Sequence, residues 1–289
     1  MFEQFTHHRI PTSGTTINLV KGGKGKPLLL LHGYPQTHVM WHKVAAQLCQ
    51  RFTVICPDLR GYGDSDKPIS DPTHFTYSKR ATAQDQVEVM AALGFERFFA
   101  VGHDRGGRVL HRLILDHANR VEKAAVLDIA PTRTIFTTIN KELATAYEHW
   151  FFLSQPYDLP ERLIGNEPEF YLRTKLKQWS ANPNSFTEEA MAEYIRCFSN
   201  PATIHATCED YRAAATIDLE HDEIDLNSKM QCPLLVLWGA KGVMERRYNV
   251  LATWRGRAVN VRGKALDCGH FLPEEAPQET VTALLDFFS

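Results

Sequence analysis

A chain of 289 residues with 44% hydrophobic and 23% charged residues has the composition of an ordinary globular protein, which excludes a disordered, collagenous or coiled-coil chain. At roughly 150 residues per domain the length suits two domains, or one large unit with an insertion, able to bury about three quarters of its unfolded surface without a disulfide or metal staple. Lys plus Arg number 32 and Asp plus Glu 34, a formal charge of −2, which argues against a nucleic-acid groove or a membrane-surface patch as the main role.

The opening residues Met1–Phe5 carry neither a basic stretch nor an apolar core, so no secretory signal is expected there, and no apolar run approaches the roughly 18 residues of a membrane span. Next, Lys21-Gly22-Gly23-Lys24-Gly25-Lys26 is rich in glycine and lysine. A phosphate-binding loop needs Ser or Thr after its lysine, whereas Pro27 follows Lys26, so a hairpin turn is expected. Five short apolar runs read as strands: Pro27–Leu31, Phe52–Cys56, Phe98–Val101, Ala124–Leu127 and Leu234–Trp238. Ala83, Val87, Met90 and Ala91 keep helical spacing between them, as do Val109 and Leu113. Strands alternating with helices predict the α/β class, a mostly parallel sheet with helices on both faces.

From about Thr134 to Asp225 the rhythm breaks. Helix-like stretches (Glu142–Leu153, Pro168–Trp179, Thr187–Phe198, Ile204–Ala215) follow one another with no strand, which predicts a helical cap over residues 134–225 inserted into a core of 1–133 and 226–289. Cys49, Cys56, Cys197, Cys208, Cys232 and Cys268 are scattered without any C-x-x-C, as reduced thiols in a cytoplasmic protein would be.

In an open parallel sheet, ligands bind beyond the carboxyl ends of the strands. Gly102-His103-Asp104-Arg105-Gly106 stands at such an end, between strand and helix, with the form of a G-x-S-x-G nucleophile elbow carrying Asp in place of Ser. The glycines let the chain turn sharply, and the helix start favours an anion. A carboxylate nucleophile restricts the chemistry: on an acyl group it would give an anhydride, but on saturated carbon bearing a leaving group it gives an ordinary ester that water can cleave. An alkyl halide or an epoxide is therefore the expected substrate. His270, in Asp267–Pro273 near the end of the sequence, is the expected base. Its orienting carboxylate would be Asp128, at the end of a strand, rather than Glu245, the acid nearest to Gly239.

Arg105 and Arg108 share a face of the helix that Asp104 opens, and a guanidinium pair fits a carboxylate ligand. Two carboxylates about 4 Å apart repel by roughly 4 kcal/mol at an effective dielectric near 20, while each charged hydrogen bond returns about 1.5–3 kcal/mol. Two arginines outweigh the repulsion and one is marginal.

His32–Thr37, Asp58–Ser65, Gly102–Arg108 and Gly269–Pro277, with Glu148-His149-Trp150 and Cys208–Ala213 in the cap, resemble the fluoroacetate (haloacetate) dehalogenases of the α/β-hydrolase superfamily over nearly the whole chain. The resemblance implies an α/β-hydrolase fold and a homodimer. It implies Asp104 as nucleophile, Asp128 and His270 as its partners, Arg105 and Arg108 on the substrate carboxylate, and His149, Trp150 and Tyr211 around the departing halide. Trp179 would line the access route, and the Tyr34 and Arg105 backbone N–H groups would form the oxyanion site. A haloacid as small-molecule partner, with no nucleic acid, no membrane, no metal and no organic cofactor, completes the expectation. Haloalkane dehalogenases and epoxide hydrolases share the Asp elbow but carry Trp after the nucleophile, where this chain has Arg105; an epoxide hydrolase, using cap tyrosines such as Tyr147, Tyr157, Tyr171, Tyr194 or Tyr211, is the second reading. A non-catalytic receptor on the same fold is the third, though Asp104, Asp128 and His270 are all present.

Overall fold

In the computed structural model, which describes residues 1–289, the apolar runs become the strands of one sheet. The strands are β1 (Thr6–Pro11), β2 (Thr16–Gly23), β3 (Lys26–Leu31), β4 (Phe52–Pro57), β5 (Phe98–His103), β6 (Val121–Leu127), β7 (Leu234–Gly239) and β8 (Val261–Leu266). Their order is β1-β2-β4-β3-β5-β6-β7-β8, with β1 and β2 antiparallel additions to a parallel array. Every residue of β5 and β7 is buried, as their unbroken apolar sequence requires of strands covered on both faces.

Two expectations change. Residues 21–26 do not close a hairpin, because β4 lies between β2 and β3 and hydrogen-bonds both. The hairpin is the earlier one, β1 with β2, closed where the Thr12 N–H donates to the Thr15 carbonyl. Its strands escape a search for apolar runs because β1 is largely exposed and β2 alternates. The stretch read as one helix over Glu142–Leu153 is two, Lys141–Ala146 and Glu148–Leu153, broken at Tyr147.

Between β6 and β7 the chain has helices and no strand, including Leu159–Asn166 and Ile217–Ile224, which had not been singled out, and Pro168–Trp179, Glu188–Phe198 and Pro201–Ala215, which had been expected. No helix is long and apolar enough to cross a membrane, and all six cysteines are free thiols.

The chain leaves β3 for β4 on one side and returns to β5 on the other, so the crevice between the ends of β3 and β5 is a topological switch point. Tyr34 follows β3 there and Asp104 follows β5. Asp128 comes straight after β6, and His270 lies in the loop after β8.

Candidate active site

Asp104 opens the helix Asp104–Asp116 with φ of +46°, in the left-handed region that side chains seldom occupy, at a strain of order 1–3 kcal/mol. The glycines around it serve differently from the expectation, since the positive φ falls on Asp104 itself. A Cβ on Gly106 would strike the His32 carbonyl oxygen and lie 2.6 Å from that of Leu31; one on Gly102 would lie 2.6 Å from Gly107 Cα. They allow β5, the helix and the end of β3 to pack backbone against backbone, which pushes the Asp104 side chain into the crevice.

The two Asp104 oxygens face different partners. Oδ1 accepts the Tyr34 backbone N–H at 3.0 Å, while Oδ2 lies 3.5 Å from Arg108 Nη1 and 3.8 Å from His270 Nε2. On the other edge of the imidazole, Nδ1 is 2.6 Å from Asp128 Oδ2, and Asp128 Oδ1 accepts the Gly239 N–H at 2.9 Å. Glu245 is occupied by the Trp238 indole N–H, so of the two acids considered it is Asp128 that meets His270. His103 donates from Nε2 to the His270 carbonyl at 2.8 Å, and burial pulls its own pKa down to about 3, which keeps it neutral.

Burial alone would raise the Asp104 carboxyl, but His270 and then Arg108, His103 and Arg105 outweigh it and hold it below the usual carboxylate range. Burial alone would lower His270, but its hydrogen bond to Asp128 and the charges of Asp128 and Asp104 raise it above an ordinary histidine. Part of what raises His270 is therefore the charge on Asp104.

The arginines, 0% and 3% exposed, are both inside the protein but in different settings. Arg105 points away from the sheet, donating from Nε and Nη2 to the Asp210 carboxylate at 2.8 Å each, with its guanidinium carbon 4.1 Å from the Tyr211 ring centroid. Lys79 and the Tyr62 hydroxyl also bind Asp210. Arg105 Nη1 is buried without a partner. Arg108 has no carboxylate within 4 Å other than Asp104, and its guanidinium carbon sits 4.7 Å from the Trp150 ring. Burial lowers its pKa from a value high enough that it remains a cation.

The helical insertion supplies the other wall. His149, Trp150 and Tyr211 are buried; Tyr34 stands 5.3 Å from the Tyr211 ring, and Trp179 lies 4.5 Å from His149 and 5.9 Å from His270. His149 Nδ1 and the Tyr211 hydroxyl have no hydrogen-bond partner, and burial keeps His149 neutral. All ten residues singled out in the sequence thus converge on one region.

A cavity of about 120 Å³ opens there, lined by Asp104, Asp128, His149, Trp179 and His270. It is well below the roughly 300–1,000 Å³ of sites for drug-sized ligands, so it suits a molecule of a few heavy atoms. Tyr147, one of the cap tyrosines weighed for the second reading, lines it too, and so do Lys241 and Arg246, which were not foreseen. Lys241 and Arg246 belong to a loop and short helix after β7 whose sequence carries no recognisable signal. Asp210 was likewise missed as the partner of Arg105.

Comparison with known proteins bears on the fold and the family. The family model of the alpha/beta hydrolase fold matches residues 26–277. The chain is 46% identical to a fluoroacetate dehalogenase from Burkholderia sp over all of this chain and 95% of that protein. It is 34% identical to a soluble epoxide hydrolase from Corynebacterium sp. (strain C12), covering all of this chain and 99% of that one. A solved alpha/beta hydrolase from Nostoc sp PCC 7120 superposes with a TM-score of 0.99 at 63% identity, over 100% of this chain and 99% of that one.

Proposed function

The chain belongs to the alpha/beta hydrolase fold family, and from that premise we propose that it is a hydrolytic dehalogenase converting 2-haloacetates such as fluoroacetate and chloroacetate to glycolate and halide. The observation that carries this reading is Arg108: a buried cation whose one neighbouring carboxylate is Asp104, which itself lines a cavity small enough for a two-carbon acid. A neutral substrate would leave that charge poorly compensated at such a site.

In this reading Arg108 and the free Nη1 of Arg105 hold the substrate carboxylate, so the second carbon faces Asp104 Oδ2. Oδ2 attacks that carbon; a C–O bond forms as the C–halogen bond breaks, and the halide leaves with the electron pair towards His149, Trp150 and Tyr211. A small anion with concentrated charge needs N–H and O–H donors, and the unpartnered His149 Nδ1 and Tyr211 hydroxyl are of that kind. The product is an ester on Asp104. Alkylation removes the Asp104 charge, and with it one of the influences that raise His270, so more of the imidazole stands as the free base, able to accept a proton, after the first step. Water then gives its proton to His270 Nε2 and attacks the ester carbonyl carbon. The charge that develops on Oδ1 meets the Tyr34 N–H, joined in this reading by the Arg105 N–H. Collapse breaks the ester C–O bond, the proton held by His270 passes to the departing alkoxide to give glycolate, and the Asp104 carboxyl loses the remaining proton to solvent, which restores the carboxylate. Both steps are redox-neutral and balance with water alone.

Residues 134–225 act here as a cap, with Trp179 on the access route. The exposed apolar side chains Tyr157, Leu159, Leu163 and Phe170 of that segment would be the face of a cytoplasmic homodimer; light scattering that returns the monomer mass would remove that part.

An epoxide hydrolase is the second reading, favoured by the free Tyr211 hydroxyl and by Tyr147 at the cavity wall, both able to protonate an oxirane oxygen. Incubating the protein with fluoroacetate, chloroacetate and styrene oxide separates the two. Halide and glycolate in equal amounts are expected from the acids; diol formation with no halide release would transfer the assignment.

A further inference from the structure

The loop that carries His270 is tied to the insertion through one side chain outside the cavity. Glu275, in the short helix Leu272–Glu275, turns its carboxylate back onto that loop. Oε1 accepts the Phe271 N–H at 3.0 Å. Oε2 accepts three, from Gly269 at 3.0 Å, Ala181 at 2.8 Å and Asn182 at 3.1 Å. Two of these donors flank His270 and two follow the end of the helix Pro168–Trp179. Beside them the His270 N–H donates to the Trp179 carbonyl at 3.0 Å. The two segments pack so closely that a Cβ on Gly269 would lie 2.7 Å from Trp179 O and 2.9 Å from Glu275 Oε1, and would strike Ala181 N.

Four backbone donors on one carboxylate exceed what fixing a surface turn requires, and they join residues on opposite walls of the site. The Trp179 side chain continues the link, 4.5 Å from His149 on the halide side and 5.9 Å from His270 on the water side. We propose that Glu275 is a positioning residue that holds the water-activating His270 and the Trp179 segment as one unit, so that the base is in register only while the insertion is seated. Glu275 touches no reacting atom, and the inference rests on the dehalogenase reading only for which step it serves. Ester hydrolysis needs His270 in place; attack by Asp104, held by Tyr34 and Arg108, does not.

Glu275→Gln is the test, because an amide of the same size has one acceptor oxygen and turns an NH2 group towards N–H donors whichever way it is placed. Amide hydrogen exchange is expected to rise together in residues 179–182 and 266–272. With chloroacetate, the rapid first release of halide should stay within twofold of the parent enzyme, while ester hydrolysis slows by about tenfold and the ester on Asp104 builds up in intact-mass spectra. Glu275→Asp, which keeps both oxygens, should recover part of the hydrolysis rate. Exchange unchanged in both segments, or both chemical steps slowed equally, would overturn the proposal. A parent enzyme that releases no halide would instead sink the dehalogenase reading and leave the exchange result to judge the link on its own.

Discussion

The two walls of the site are built on opposite principles. On the sheet side the acidic and imidazole groups are paired within the chain: Tyr34 N–H on Asp104, His270 on Asp128, Asp128 on the Gly239 N–H, His103 on the His270 carbonyl, although the Tyr34 hydroxyl, His103 Nδ1 and Arg108 Nε are buried without a partner. On the insertion side His149 Nδ1, the Tyr211 hydroxyl and Arg105 Nη1 are buried and unpaired. A buried donor without a partner lowers stability, so such groups persist where a ligand satisfies them. In the proposed reaction the sheet wall moves charge and protons between fixed groups, and the insertion wall receives an anion. Arg105 and Arg108, three residues apart, divide along the same line. One is neutralised by Asp210 of the insertion, and the other faces Asp104 directly.

The most severe test of the sheet wall is His270→Ala. Halide release should stop at about one equivalent, with one carboxymethyl group retained on Asp104, a loss of turnover of roughly 10⁴-fold or more by analogy with other catalytic bases. Spectra showing unmodified protein during exposure would break the comparison. Acid should imitate the mutation. His270 is raised, so its free base is lost as pH falls, whereas Asp104 is held low and stays ionised. At about pH 5, below an ordinary histidine pKa, the first halide equivalent should still appear while the ester persists.

Next in size is the division between the arginines. Arg108→Met should lower kcat/KM for haloacetates by about a hundredfold, through the loss of charged hydrogen bonds of about 1.5–3 kcal/mol, with little change in melting temperature. Arg105→Met strands Asp210 with Lys79 and should destabilise the fold, by an amount approaching the 3–5 kcal/mol or so of a broken buried ion pair. Thermal unfolding of the two variants side by side tells them apart, and equal losses of stability would erase the distinction drawn here. The smallest effect belongs to Tyr211→Phe: a few-fold to tenfold lower rate, with fluoroacetate suffering more than bromoacetate because fluoride depends most on a hydroxyl donor. Equal losses for both would remove Tyr211 from the halide's surroundings.

What could be read from the sequence divides along a physical line. The five apolar runs became β3 to β7 because a strand buried on both faces must be apolar at every position, a signal that survives without structure. Strands β1 and β2 carry no such run, and the turn at residues 21–26 pointed to the wrong pairing because local turn chemistry does not report a third strand arriving from thirty residues later. The elbow was legible down to the charge beside it. The opposite directions of the two guanidiniums were not, since helical spacing places both on one face and says nothing of Asp210 a hundred residues away.

By itself the sequence determined which groups are candidates for the chemistry: a carboxylate at a strand end, a histidine in the loop after the last strand, and a guanidinium pair beside the carboxylate. These depend on residue type and on local order along the chain, and both are written in the linear sequence. Only the tertiary structure decided which arginine stays free of a partner carboxylate in the insertion, and that Glu275 bridges the two walls. Those outcomes depend on distances of a few ångströms between segments far apart in the chain, where competition among partners, rather than any one residue's character, selects the pair.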